Sequence, residues 1–211
     1  TLLIADEGRR SGASHVEQLL TAGHRVVAAD LFYFGESRIP ERDYLFALFV
    51  STVGDRPLGL QASQLAAVAR WLQTEHGKPV TVRAVGPRSS LIALVAAGLE
   101  RNAIGALELH GALGSLKEVI EQNRSFQDMP ELFCFGLLEA FDVKQLAALA
   151  APRLVTFVSA SERAKAELAG LEKSFPEVAR AAGVDTPTAR VGDDRAEGFA
   201  RVKHRQAMTT L

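Results

Sequence analysis

The sequence has a single cysteine, Cys134, so no disulfide can form within the chain. No apolar run reaches the roughly 18 residues that a membrane-spanning helix needs, and no signal-peptide pattern is visible. The 24 basic and 25 acidic residues form no run of one sign and give a formal net charge of -1. Neither a nucleic-acid partner nor a membrane partner is therefore indicated.

Motifs that bind common cofactors are also missing. There is no Gly-x-Gly-x-x-Gly fingerprint for a dinucleotide and no Walker A pattern for a nucleoside triphosphate. The histidines are scattered without the spacing of metal ligands, at His15, His24, His76, His110 and His204. The sequence thus predicts neither a cofactor nor a metal.

What remains is an ordinary globular composition, 47% hydrophobic and 23% charged, in which apolar runs alternate with helical patterns. The runs predict strands at Leu2–Ala5, Arg25–Ala29, Val80–Val85, Ile104–Leu109, Leu154–Val158 and Thr188–Val191. Helices are predicted at His15–Ala22, Leu60–Glu75, Ser89–Glu100, Ser115–Asn123, Glu131–Glu139, Val143–Ala150, within 162–182, and at Ala196–Met208. The aromatic-rich stretch Leu31–Arg56 is interpreted as a connection. This alternation predicts one α/β domain over residues 1–211, with a mostly parallel sheet and helices on both faces.

The first predicted strand begins almost at once after Thr1. Because a domain rarely begins within a strand, we expect the chain to be a fragment or a processed part of a longer protein. Other segments of that protein, or another subunit, are then the expected partners for the strands that the sheet lacks.

Three segments carry a family resemblance. Asp30-Leu-Phe-Tyr-Phe-Gly-Glu-Ser37 follows the second predicted strand and resembles Asp-x-x-Gly-x-Gly-x-Ser, with Tyr33 where a glycine is usual. Gly86-Pro-Arg-Ser-Ser90 lies between a strand and a small-residue helix, the context of the nucleophile elbow Gly-x-Ser-x-Gly. Phe141-Asp-Val-Lys-Gln-Leu-Ala-Ala-Leu-Ala-Ala-Pro-Arg153 precedes the fifth strand.

In this order and spacing, the segments resemble an α/β-hydrolase of the acetyl xylan esterase and glucuronoyl esterase branch, from the third strand of that fold onward. The resemblance implies a serine–histidine–acid triad for acyl transfer. It also implies an esterified carbohydrate as ligand and a secreted or periplasmic location.

The elbow position is occupied by Arg88, which stays protonated and cannot act as a nucleophile. The turn is tight, so the residues two before and two after its centre must be small. Gly86 and Ser90 satisfy this requirement around Arg88. A register centred on Ser89 would place Leu91 in the crowded position, and one centred on Ser90 would place Arg88 there.

The expected positions of the other two triad members also lack the usual residues. Glu162 is the only carboxylate directly after the fifth strand, where an aspartate is expected, and a glutamate is equally at home at the start of a helix. The loop 192–198 has no histidine, and His204 comes later, within a predicted helix. His110 closes the fourth strand and either supports the site or is a hydrogen-bonded histidine at a strand end.

Anion binding is an alternative use of the same positions. Gly8-Arg-Arg-Ser-Gly12 follows the first strand, where hydrolases build the oxyanion hole from backbone N–H groups. Gly8 and Arg9 there, and Arg88 at a helix N-terminus, are candidates to hold a small anion such as a carboxylate or phosphate; solvation at the surface is the alternative for Arg9. Asp30, at a strand end, is expected to tie down the loop that follows it.

Two hypotheses follow. In the first, the chain is a catalytically degenerate hydrolase domain that serves as a structural or binding module. In the second, it is an active esterase on acetylated or esterified carbohydrate, with Ser89 or Ser90 as nucleophile and Glu162 or His110 in support. A serine-directed probe separates them.

Overall fold

The computed structural model describes residues 1–39, 44–171 and 189–192. Within these residues, six strands form one parallel sheet: β1 Leu2–Ala5, β2 Val27–Ala28, β3 Val80–Val85, β4 Ile104–His110, β5 Leu154–Val158 and β6 Ala189–Gly192. Their order across the sheet is β2-β1-β3-β4-β5-β6, with every neighbouring pair parallel. The predicted α/β class with a parallel sheet is confirmed.

Helices connect the strands as parallel pairing requires. They are α1 Ala13–Thr21, α2 Leu45–Thr52, α3 Pro57–His76, α4 Pro87–Leu99, α5 Lys117–Glu121, α6 Leu137–Ala140, α7 Val143–Leu149 and α8 Glu162–Leu168, with short 3₁₀ helices at Gly35–Ser37 and Pro130–Leu132. Helix α3 begins at Pro57, whose fixed φ suits a first helical turn, and ends at Gly77, which adopts a left-handed φ of 68°. Among the described residues, no helix is both long and apolar enough to cross a membrane.

The two faces of the sheet differ in chemistry because side chains alternate along each strand. On one face, apolar side chains such as Val82, Leu107 and Phe157 pack with α3, α4 and α7 in the main hydrophobic core. The opposite face, here called the α1 face, packs against the start of α1, where a Cβ on Gly12 would lie 2.6 Å from Leu3 Cδ2.

Two predictions, one of a connection and one of a helix, need correction. The stretch Leu31–Arg56 is more than a connection, since it contains a 3₁₀ helix and α2. Helix α2 is apolar along most of its length, so it shows no alternation of polar and apolar faces to reveal it. The predicted helix Glu131–Glu139 is two short pieces, because Gly136 between them has a φ of +81°. The helices predicted after residue 171, and with them His204, lie outside the described residues.

Candidate functional site

The turn between β3 and α4 differs from the predicted elbow. Gly86 is the residue with positive φ, at +103°, and α4 begins directly after it at Pro87. Arg88 is therefore the second residue of the helix, and the prediction that it stands at the apex of the turn is wrong. Proline explains the difference: its φ is already helical and it needs no N–H partner, so the helix starts two residues earlier than the small-residue pattern suggested.

Asp6, at the end of β1, fills the space beside this turn. Its carboxylate accepts hydrogen bonds from the backbone N–H of Arg88 at 3.0 Å and of Ser89 at 2.7 Å. A Cβ built on Gly86 would lie 2.3 Å from Asp6 Cγ, so no side chain fits at the apex. Burial raises the pKa of Asp6, and the hydrogen bonds from Ser89 and Arg88 oppose this rise.

The guanidinium of Arg88 points away from the turn into a buried pair. Its Nε and Nη2 donate to the two carboxylate oxygens of Glu131 at 2.8 and 2.7 Å, and the ring of Phe34 lies 4.3 Å from Arg88 Cζ. Gln61 donates to Glu131 Oε1 at 3.0 Å. Although burial acts to lower the pKa of Arg88, the hydrogen bonds and charge of Glu131 raise it.

These contacts bear on the predicted anion site. The guanidinium of Arg88 already has a bidentate carboxylate, and the N–H groups at the start of α4 already have Asp6. The groups that were predicted to bind an anionic ligand are therefore already bound to the carboxylates of Glu131 and Asp6. Helix α4 is held at its N-terminus by β1 and by the Pro130–Leu132 segment.

Gly8 and Arg9 lie in a loop that is tied to the segment after β2. A Cβ on Gly8 would lie 2.4 Å from Gly35 Cα, so the two backbones touch. Asp30 accepts from the N–H of Arg9 at 2.6 Å and of Glu36 at 3.1 Å, which confirms the predicted tie. The Arg9 side chain forms an exposed ion pair with Glu36.

The candidate nucleophiles are buried in α4. Ser89 and Ser90 are each 1% exposed. Within the described parts of the chain, the Ser90 hydroxyl has no hydrogen-bond partner, and no hydrogen bond joins either serine to His110 or Glu162. Glu162 is almost fully exposed and pairs with Lys165 at 2.9 Å, so it is a surface residue of α8.

His110 belongs to a polar cluster on the α1 face. Its Nε2 lies 2.8 Å from Glu108 Oε1, and Arg83 donates twice to Glu108 Oε2, at 3.0 and 2.8 Å. The ring of His15 packs edge-on against His110 at 4.8 Å. Burial acts to raise the pKa of Glu108, but His110 and Arg83 outweigh it and lower the pKa. His110 is therefore a hydrogen-bonded histidine at a strand end.

Sequence reasoning missed Asp6, Glu131 and Gln61. Asp6 had a usable signal, because a carboxylate directly after a strand lies at the edge where the turn after the neighbouring strand also lies. Glu131 had a weaker one, as a charged residue in an otherwise apolar stretch. Among the described residues, no three His, Cys, Asp or Glu side chains are grouped to hold a metal ion.

Comparisons with known sequences assign no family. No family model matches the chain. A 47-residue stretch is 51% identical to DNA ligase 1 of Opitutus terrae, over 22% of this chain and 6% of the ligase, which is too short to assign a family.

Solved structures match over almost the whole chain. A protein of Bacteroides fragilis described as an acetyl xylan esterase superposes with a TM-score of 0.72 at 15% identity, covering 95% of this chain and 60% of that one. An esterase of Pyrococcus furiosus (TM-score 0.54, 13% identity, covering 98% and 79%) and a non-heme bromoperoxidase of Mycobacterium tuberculosis (TM-score 0.53, 15% identity, covering 99% and 89%) also match. The chain thus spans about three fifths of the length of the Bacteroides protein. With a parallel sheet surrounded by helices, and with these matches, the chain has the α/β-hydrolase fold.

Proposed function

We propose that this chain is a hydrolase-fold module without serine-hydrolase chemistry, a pseudoenzyme domain within a longer esterase-like protein. The observation that carries the proposal is the turn at Gly86. A nucleophile elbow presents a side chain from the residue at its apex. Here the apex residue has no side chain, and the Asp6 carboxylate occupies the space that one would need.

The surrounding charges support the same proposal. An oxyanion hole needs N–H groups that are free to bind a developing negative charge. The first N–H groups of α4 instead donate to Asp6, a permanent acceptor. The adjacent Arg88 is neutralised by Glu131.

Among the described residues, the side chains of the remaining triad candidates form no hydrogen bond with one another. Both serines are buried in α4, His110 is paired with Glu108, and Glu162 faces solvent. A serine needs a base within hydrogen-bond reach to become nucleophilic. Loss of triad members lowers the rate by about 10⁴- to 10⁶-fold, so we expect only slight residual ester hydrolysis.

The test is labelling with a fluorophosphonate probe together with hydrolysis of p-nitrophenyl acetate. We expect no stoichiometric adduct, and a hydrolysis rate equal to that of the Ser89→Ala/Ser90→Ala double variant. That variant is the matched control, because it removes two buried hydroxyls with little change in volume.

An adduct on Ser89 or Ser90 that disappears in the double variant would contradict the proposal. It would favour the alternative, an active carboxylic-ester hydrolase on acetylated or esterified carbohydrate. An inactive chain is instead free to serve as a structural part or as a binding module.

A further inference from the structure

A cavity of about 230 Å³ lies between the start of α3 and the segment 126–135. Three phenylalanines lie among its ten lining residues, and two of them, Phe126 and Phe133, are in edge-to-face contact at 5.4 Å between ring centroids. Phe135 also lines it and is 88% exposed, so it stands at the rim. Glu131 also lines the cavity, and its ion pair with Arg88 connects the cavity to the first turn of α4.

One charge in the lining is not neutralised nearby. Glu131 is already bound to Arg88 and Gln61. The guanidinium of Arg56 donates only to the backbone oxygen of Asp55, at 3.1 Å, and has no acidic side chain within salt-bridge distance among the described residues. The cavity therefore combines three phenylalanine rings with one available cation.

The size of the cavity limits the ligand. A cavity of roughly 150 Å³ admits benzene, and typical drug-sized pockets begin at about 300 Å³. A volume of about 230 Å³ thus suits one ring with a small polar group. A sugar fits the chemistry less well, because each of its hydroxyls needs a partner, and the Ser51 hydroxyl already donates to Ala47 O at 2.7 Å.

We propose that this cavity binds a small carboxylate with an apolar ring, the ring between Phe126, Phe133 and Phe135 and the carboxylate on Arg56. The planar guanidinium matches a carboxylate in a bidentate geometry. The Phe rings bury the apolar part. Ligand binding at this site does not require either serine to react. It is therefore tested independently of the proposed loss of hydrolase chemistry.

Cys134 offers a direct readout. It lines the same cavity and is the only cysteine in the chain, so a thiol reagent modifies a single place. The probe is sodium benzoate, and the measurement is the rate of Cys134 alkylation by iodoacetamide in the 211-residue chain. Benzoate should slow alkylation in a saturable way, and benzamide, of nearly the same shape but without charge, should protect roughly tenfold less well.

The variant Arg56→Gln tests the cation. It should weaken benzoate binding by roughly tenfold or more, to the level of benzamide binding. Burial raises the pKa of the Cys134 thiol, and the charge of Arg56 acts to lower it. The ratio of rates with and without ligand is therefore compared within each variant, and calorimetric titration of benzoate gives a second measure. The matched control is Arg101→Gln, which removes the same charge just before the start of β4, at the N-terminal ends of the strands, and should leave benzoate protection unchanged.

The proposal would be overturned by no protection by benzoate, by equal protection by benzoate and benzamide, or by an equal loss in Arg101→Gln and Arg56→Gln. Protection by glucose at concentrations at which benzoate has no effect would also overturn it, in favour of a carbohydrate ligand. Fluorophosphonate labelling of Ser89 or Ser90 would contradict the proposed loss of hydrolase chemistry and leave the carboxylate site standing.

Discussion

The buried pair between Arg88 and Glu131 gives the most quantitative prediction. The Glu131 side chain is fully buried and that of Arg88 is 11% exposed. Removing one partner of such a pair leaves an uncompensated buried charge, at a cost of about 3–5 kcal/mol. Glu131→Gln keeps the size of the side chain, so we expect the free energy of unfolding to fall by about 3 kcal/mol with little cavity cost. Typical domains have only about 5–15 kcal/mol in total.

Replacing both charges should behave differently. Apolar side chains of similar volume often substitute for a buried ion pair without loss. We expect the double variant Arg88→Met/Glu131→Leu to recover most of the stability lost by Glu131→Gln. Its remaining cost would come from Gln61, which loses one acceptor but keeps the oxygen of Phe32 at 3.0 Å.

The assay is equilibrium unfolding in urea followed by circular dichroism, with Glu167→Gln as the control. Glu167 pairs with Arg163 on α8, where both side chains are at least 40% exposed, and such pairs contribute about 0–1 kcal/mol. The reasoning would be refuted if Glu131→Gln cost no more than Glu167→Gln. It would also be refuted if the double variant were as unstable as the single one.

Three further predictions concern the ends of helices. Gly86→Ala should lower the free energy of unfolding by about 2–4 kcal/mol, because the residue has a positive φ and its Cβ would clash with Asp6. The control is Gly54→Ala, which also has a positive φ but has open space around it, so it should cost less. Equal costs for the two variants would exclude a contribution from the clash. Burial raises the pKa of Asp6 above 3.8, so the folded state holds this proton more tightly than the unfolded state. The free energy of unfolding of the wild type relative to Asp6→Asn should therefore be greatest below about pH 4 and should fall as the pH rises through the raised pKa. Urea unfolding of both proteins at several pH values measures this difference. A difference that grows with pH would contradict the reasoning. Asp142→Ala should cost about 2–3 kcal/mol, because the carboxylate caps α7 and also accepts from Ser115 Oγ and the N–H of Leu116, both at 2.6 Å. Ser161→Ala removes a cap alone and should cost about 1 kcal/mol, so equal losses for the two would contradict the assignment.

The fold was predictable where hydrophobic patterns are strong. Strands β3 and β5 have the predicted bounds, since each is a short apolar run between polar or turn-forming residues. Helix α3 is longer than predicted by its first turn, because Pro57 and Leu58 are buried at a place where the local sequence resembles a loop. Helix α2 was not predicted at all, since its apolar residues have no polar counterpart to set a period.

Sequence spacing directed attention to Gly86–Ser90, and the structure places this stretch at the turn between β3 and α4. The lack of a serine with suitable neighbours was an expectation from spacing alone. The register around Arg88 was wrong because spacing cannot report φ, and it is φ at Gly86 that sets the apex. The partners of Arg88 were also beyond reach, since Glu131 is 43 residues away along the chain.

By itself, then, the sequence determined the fold class, through the alternation of strand and helix patterns, and the residue types available at the turn after β3. Both depend on local residue identity and spacing. Only the tertiary structure decided what the charged residues at that position do, because the contacts of Arg88 with Glu131, and of Asp6 with the first turn of α4, join segments far apart in the chain. A buried charge must find a partner wherever the fold supplies one, and here the fold supplies it from within.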